Sequence, residues 1–102
     1  MNERSHITRH VLVHGRVQGV GFRAFVELEA HKRGLEGWVR NRRDGSVEAV
    51  FSGEAALIAD MIEVCRRGPM GARVDVLHQR DGEAVDLKAR APGELFSLLP
   101  TV

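Results

Sequence analysis

Between Gly15 and Arg23 the chain reads GRVQGVGFR, nine residues that hold three glycines and end on a phenylalanine–arginine pair. The stretch constrains the fold because its two flanks differ in period. The run before it, Ile7 to His14, is short and β-prone. The run after it, Phe22 to Arg33, carries apolar residues at helical spacing, so the glycines fall in a strand-to-helix turn. Gly15, Gly19 and Gly21 accept positive φ and let backbone come close to a ligand. Loop N–H groups converging on one point, with the free amides and positive dipole end of a helix N-terminus, would make a cradle for a phosphate-like anion. Arg23 falls in the first helical turn, where its planar fork of donors suits two oxygens of a phosphate.

Two nucleotide-binding alternatives fail on spacing. The Walker pattern requires Lys and Ser/Thr after its last glycine, where Phe22 and Arg23 stand, and the G-x-G-x-x-G spacing is absent. Glycines in such a turn also have a purely conformational explanation, so composition alone leaves both readings open.

The remaining elements follow from periodicity. Ile7 to Val13 alternates as a strand, with Ile7, Val11 and Val13 on one face and Thr8, His10 and Leu12 on the other. His10 and His14 share a face but stand roughly 13 Å apart, too far for one metal ion, and read as surface or sheet-edge histidines. Phe22, Phe25, Val26 and Ala30 form a helical stripe closed by Gly34; Glu29 falls inside it and reads as a residue at the edge of the core rather than an arginine's buried partner. Leu35 to Arg42 reads as a strand with Val39 and Asn41 on one face and Trp38 and Arg40 on the other. Asp44-Gly45 turns the chain into a returning strand with Val47, Ala49 and Phe51. Glu54 to Arg67 carries the stripe Leu57, Ile58, Met61, Ile62 and Cys65, and Gly68-Pro69 closes that helix. Arg73 to Arg80 is a strand with Val74, Val76 and His78 on one face, Leu95 to Leu99 a short final strand, and Glu83 to Ala91 has no readable pattern. The order β-α-β-β-α-β, with an additional short C-terminal strand, predicts a ferredoxin-like α+β two-layer sandwich, its antiparallel sheet covered by two helices. At 102 residues a single domain spanning 1–102 is expected.

The string GRVQGVGFR resembles the signature of the acylphosphatase family, and GWVRNRRDGSV, Gly37 to Val47, continues the resemblance in the family's order. The resemblance implies the same fold and hydrolysis of an acyl phosphate to a carboxylate and inorganic phosphate. It makes Arg23 the phosphate-binding residue and Asn41 the residue that orients the attacking water. Gly15, Arg16, Val17, Gln18, Gly19, Val20 and Gly21 then form the phosphate-binding loop. Gln18 is expected to help shape that loop by hydrogen bonding, and Arg16 has a plain solvated reading. Asn41 suits its role because an amide offers an acceptor and donors without a charge that phosphate would repel; taken alone beside a hairpin, it reads as a turn-favouring residue. A leaving carboxylate with a pKa near ~4 needs no general acid, so positioning and charge stabilisation suffice. Phe96-Ser97-Leu98 fills the place of the family's last strand, aromatic-x-aliphatic in pattern, while Leu99-Pro100-Thr101-Val102 runs on past it.

Charge and composition bound the partners. Fifteen basic and 14 acidic residues leave a net charge of +1, without the global field expected of a nucleic-acid binder. With no tyrosine, one tryptophan and four phenylalanines, an RNA-stacking platform is poorly supplied. The alternative is a non-catalytic phosphate- or anion-binding module, or an RNA-binding one, of the same fold; Asn41 beside Arg23 favours the enzyme. Cys65 is the one cysteine, so no intrachain disulfide forms and a reducing compartment is the natural home. MNERSHITRH lacks the apolar core of a signal peptide, and no apolar run reaches membrane-spanning length. The expectation is a cytoplasmic monomer acting on a small-molecule acyl phosphate, with inorganic phosphate as product or inhibitor, and with no nucleic acid, membrane, metal or cofactor.

Overall fold

The computed structural model describes residues 5–102; the first four residues of the expected domain and of MNERSHITRH lie outside the described residues. The elements run β1 (His6–Arg16), α1 (Phe22–Lys32), β2 (Glu36–Asn41), β3 (Val47–Glu54), α2 (Ala55–Arg67), β4 (Arg73–Asp81) and β5 (Phe96–Leu98), with a short 3-10 helix over Ala84–Ala89 before β5. The strands form one five-stranded mixed sheet in the order β4-β1-β3-β2-β5, and the two helices cover one face. This is the ferredoxin-like α+β sandwich. The first four strands pair antiparallel, and β5 joins β2 in parallel.

Alternation turns Val11 and Val13 of β1, Val39 of β2 and Val47, Ala49 and Phe51 of β3 toward the helices. They meet Phe22, Val26 and Ala30 of α1 and Ile58, Met61, Ile62 and Cys65 of α2. Each large side chain fully buried there contributes about 1.5–3 kcal/mol. Phe96 of β5 stacks on Phe51, with ring centroids 5.8 Å apart, so the last strand is fastened by its aromatic residue as well as its backbone. Burial pushes the Cys65 thiol up to about 12, which leaves it an inert part of the core. Among the described residues, no helix is long and apolar enough to cross a membrane.

Four local features differ from the sequence reading. The pairing of β1 with β4 shifts between His14 and Gly15, so that Asp75 is an extra residue on β4. This bulge reverses the alternation: Val74 and Leu77 both pack on the core, whereas Val76 is exposed and His78 shares its face. Val74, Val76 and His78 therefore do not lie on one face. β1 is a central strand, so His10 is no sheet-edge histidine; its Nε2 lies 2.7 Å from Glu48 Oε2, and the His14 ring packs edge-on against His78. Glu29 does pair with an arginine, accepting from Arg33 at 2.8 Å and from Lys32 at 3.1 Å. The tail past Leu98 is no longer strand but stays bonded to the end of β2 and the loop after it: Leu99 N–H donates to Val39 C=O (2.9 Å), Val102 N–H to Asn41 C=O (3.1 Å), and Arg43 N–H to Val102 C=O (2.7 Å).

The outer face of the sheet is organised around Glu48, whose side chain is 9 % exposed. Its carboxylate meets His10, Arg40 (2.8 Å) and Arg42 (3.2 Å), and the Arg40 guanidinium lies 4.5 Å above the Trp38 ring. Burial by itself would raise the Glu48 pKa, but the hydrogen bonds from His10, Arg40 and Arg42 outweigh it and hold the carboxyl below its ordinary 4.5. A depressed folded pKa contributes stability that is present above the unfolded pKa and lost as pH falls through the folded one. Glu48→Gln is therefore expected to cost on the order of 2 kcal/mol at pH 7, between the surface and buried ion-pair ranges. It is also expected to flatten the loss of stability below about pH 4.5. Urea unfolding of both proteins at pH 7 and across the acid range measures this, and an unchanged acid slope refutes the role given to Glu48.

Candidate active site

The register of the sheet decides which loops meet. Val13 pairs with Val47, and Val47 pairs with Asn41, so the loop that follows β1 and the end of β2 emerge at the same end of the sheet. They are two strand spacings apart, roughly 10 Å.

Leaving β1, Val17 turns inward and is buried, and the chain bends through Gln18 to Gly21. Gly19 has φ 75° and Gly21 φ 77°, and a Cβ on either would meet nothing within 4 Å. These two are glycines for the sign of φ, as the cradle requires. Gly15 is different: a Cβ there would stand 2.2 Å from the Arg73 carbonyl oxygen, so this glycine admits the close approach of β4 and not of a ligand.

Gly21 is also the N-cap of α1, with no side-chain cap, and the first helical bond runs from Phe25 N–H to Gly21 C=O at 3.0 Å. The N–H groups of Phe22, Arg23 and Ala24 thus have no carbonyl within the helix to receive them. No acidic residue sits in that first turn; Arg23 does, with its cation at the positive end of the helix dipole. An arginine placed against the dipole is a local conflict of the sort that marks an anion site.

A cleft of about 200 Å³ opens here. Its walls are Val17, Gln18, Gly19 and Gly21 from the loop, Phe22, Arg23 and Ala24 from the first turn of α1, Asn41 from β2 and Leu98 from β5. A water takes about 30 Å³ of liquid, so a tetrahedral oxyanion and a few waters fit. Asn41 shares the helix-side face of β2 with Val39, and among the described residues neither its side-chain amide nor the Arg23 guanidinium has a protein hydrogen-bond or ion-pair partner. Of the residues expected from the sequence, Val17, Gln18, Gly19, Gly21, Arg23 and Asn41 are brought together. Gly15 and Arg16 belong to β1 against β4, and Val20 packs toward the core. Sequence reasoning missed Leu98 and Ala24 as cleft walls and counted Phe22 only as core. For Leu98 a signal was available, since it shares strand parity with Phe96 two residues before it.

Gln18 turns its amide away from the cradle. Its Nε2 donates to the carbonyls of Arg42 (2.7 Å) and Ser46 (2.9 Å), the two residues that flank the hairpin loop after Asn41. That loop is closed by Arg42 N–H to Ser46 C=O (2.9 Å) and Gly45 N–H to Arg42 C=O (3.0 Å). Asp44 accepts from the Ser46 N–H and hydroxyl, and these two bonds, the hydroxyl first, draw its carboxyl below the ordinary value. No cluster of three His, Cys, Asp or Glu able to hold a metal ion occurs among the described residues.

Comparison with known proteins shows the family and the fold. The family profile described as Acylphosphatase matches residues 9–89. An acylphosphatase of Rhodopseudomonas palustris (strain BisB18) is 60% identical over 96% of this chain and 99% of its own length. The crystal structure of acylphosphatase from Bacillus subtilis superposes with a TM-score of 0.79 at 35% identity, covering 91% of this chain and 98% of that one. An acylphosphatase structure from Coxiella burnetii gives 0.81 at 31% identity, covering 97% and 100%.

Inorganic phosphate added to isotopically labelled protein is expected to shift the amide resonances of residues 17–24 and the Arg23 side chain. Arg23→Lys should weaken binding by about 10-fold or more, because a point charge replaces a two-pronged contact. Shifts confined to another part of the surface would remove the cleft from consideration.

Proposed function

The chain belongs to the acylphosphatase family, enzymes that hydrolyse the carboxyl–phosphate bond, and from that premise we propose that Arg23 and the amides of the loop and first helical turn hold the phosphoryl group while Asn41 orients the attacking water. One observation carries this reading: Arg23 and Asn41, the two polar side chains in the cleft without a protein partner among the described residues, face it from different elements. Binding and activation are thereby divided between α1 and β2.

In the reaction the water oxygen bonds to phosphorus and the bond from phosphorus to the carboxylate oxygen breaks. The bonding pair leaves with the carboxylate, and the second water proton passes to a phosphoryl oxygen or to solvent. Products are the carboxylate and inorganic phosphate. The leaving group is the conjugate base of an acid with pKa near ~4, so it departs unprotonated and no acid is required. Charge that develops on the phosphoryl oxygens is met by amides and guanidinium already in place, which is where phosphoryl transfer gains most. Phosphate monoesters, with alkoxide leaving groups, are poor substrates on this account. The remaining elements of the reading are a single domain acting as a cytoplasmic monomer without nucleic acid or cofactor; near-neutral net charge argues against a nucleic-acid partner, and one cysteine suits a reducing compartment.

Benzoyl phosphate hydrolysis, followed with and without EDTA, tests the scheme. Asn41→Ala is expected to lower kcat on the order of 100-fold, about 3 kcal/mol in the barrier, with phosphate affinity and folding preserved. Arg23→Ala should weaken phosphate binding as well. Near-normal turnover in folded Asn41→Ala, or activity that EDTA abolishes and magnesium restores, would overturn it.

A further inference from the structure

The division of labour between α1 and β2 creates a need that neither element meets alone. Water and phosphorus must be aligned, yet one is held by a glycine-bearing loop and the other by the end of a strand. A misplacement of about 1 Å costs on the order of 100-fold in such reactions.

We propose that Gln18 is a positioning residue for the water: a strut that sets the distance and angle between the phosphate loop and Asn41. Three observations carry this. Both hydrogens of its Nε2 are engaged, at 2.7 and 2.9 Å, by carbonyls of the hairpin and not by the cleft. The strut starts beside Val17, which is 1% exposed and anchored in the core, and immediately before Gly19, where φ is 75°. It ends on the carbonyl of Arg42, the residue bonded to Asn41, and on Ser46, which closes the same loop. The Ser46 C=O that accepts from Gln18 also accepts from Arg42 N–H, a group of the peptide that follows Asn41, so the strut restrains that peptide and with it the direction in which the Asn41 side chain leaves the strand. Among the described residues, these are the side-chain hydrogen bonds that tie the loop directly to the hairpin.

The inference rests on the water-orienting reading of Asn41 and is tested so that the two fail separately. Gln18→Met keeps the length of the side chain and removes both donors; Gln18→Glu keeps its shape and sets a carboxylate against two carbonyls. For the full chain, kcat and KM for benzoyl phosphate, Ki for inorganic phosphate and the thermal midpoint are measured for each variant, alone and combined with Asn41→Ala. In folded Gln18→Met, kcat is expected to fall about 10-fold while Ki changes less than about 3-fold, because the strut acts on the water side. In the Asn41→Ala background the same substitution is expected to change kcat less than about 2-fold, since a residue acting through Asn41 has nothing left to position. If only Gln18→Glu folds, it carries the same comparison. Additive losses in the double variant, a loss confined to phosphate affinity, or an unchanged kcat each overturn the strut. If Asn41→Ala alone keeps normal turnover, the water-orienting reading has failed instead.

Discussion

Side chains on a strand alternate with a period of two, so the pairing of Val13 with Val47 and of Val47 with Asn41 cannot slip by one residue. A slip of β3 would turn Val47, Ala49 and Phe51 out of the core together and present Glu48 to the helices. The hydrophobic cost of that move fixes the register, and the register brings the loop after β1 alongside the end of β2. The cleft is in this sense a by-product of core packing. Arg23 and Asn41 come together because valines and a phenylalanine elsewhere have no second way to be buried.

Two halves of the sheet make different contributions. On the helix side the interior is apolar, and the helix N-terminus that emerges from it carries amides with no partner. On the outer side Glu48 gathers His10, Arg40 and Arg42, so that the strand bearing Asn41 is braced from behind by charge and in front by Val39. The tail adds a third restraint, because Val102 takes the Asn41 carbonyl as a hydrogen-bond acceptor. A rigid scaffold of this kind suits a reaction in which stabilising charge must be in place before the barrier is reached.

Much of this was legible in the sequence, and the parts that were not share a cause. Helical stripes, the Asp44-Gly45 hairpin and the order of elements depend on neighbours in the chain, so local patterns disclosed them. The bulge at Asp75 depends on how β4 meets β1, and the demand for glycine at Gly15 comes from the Arg73 carbonyl, nearly sixty residues away in the chain. No window around either residue contains that information. Glu29 is half-buried at the edge of the core as read, but its bond to Arg33, one turn along the helix, went unread because spacing permits that pairing without requiring it. Arg23 was suggested by its place after a glycine loop, whereas Asn41 stood out only through the resemblance of GWVRN to a family motif. Gln18 was legible as a loop residue but not as a link to the hairpin, since its partners are backbone carbonyls and leave no trace in side-chain chemistry.

The extra residue on β4 has a further consequence. β4 lies at one margin of the sheet, nine residues long, with one row of backbone groups unpaired by any strand among the described residues. A flat margin of that length would be a template on which another molecule could add a strand. The irregularity at Asp75 breaks its straightness, and Arg73, Asp75, Arg80 and Asp81 line it with exposed charges of both signs. The distortion that returns Val74 and Leu77 to the core thus also makes the margin a poor seed for aggregation.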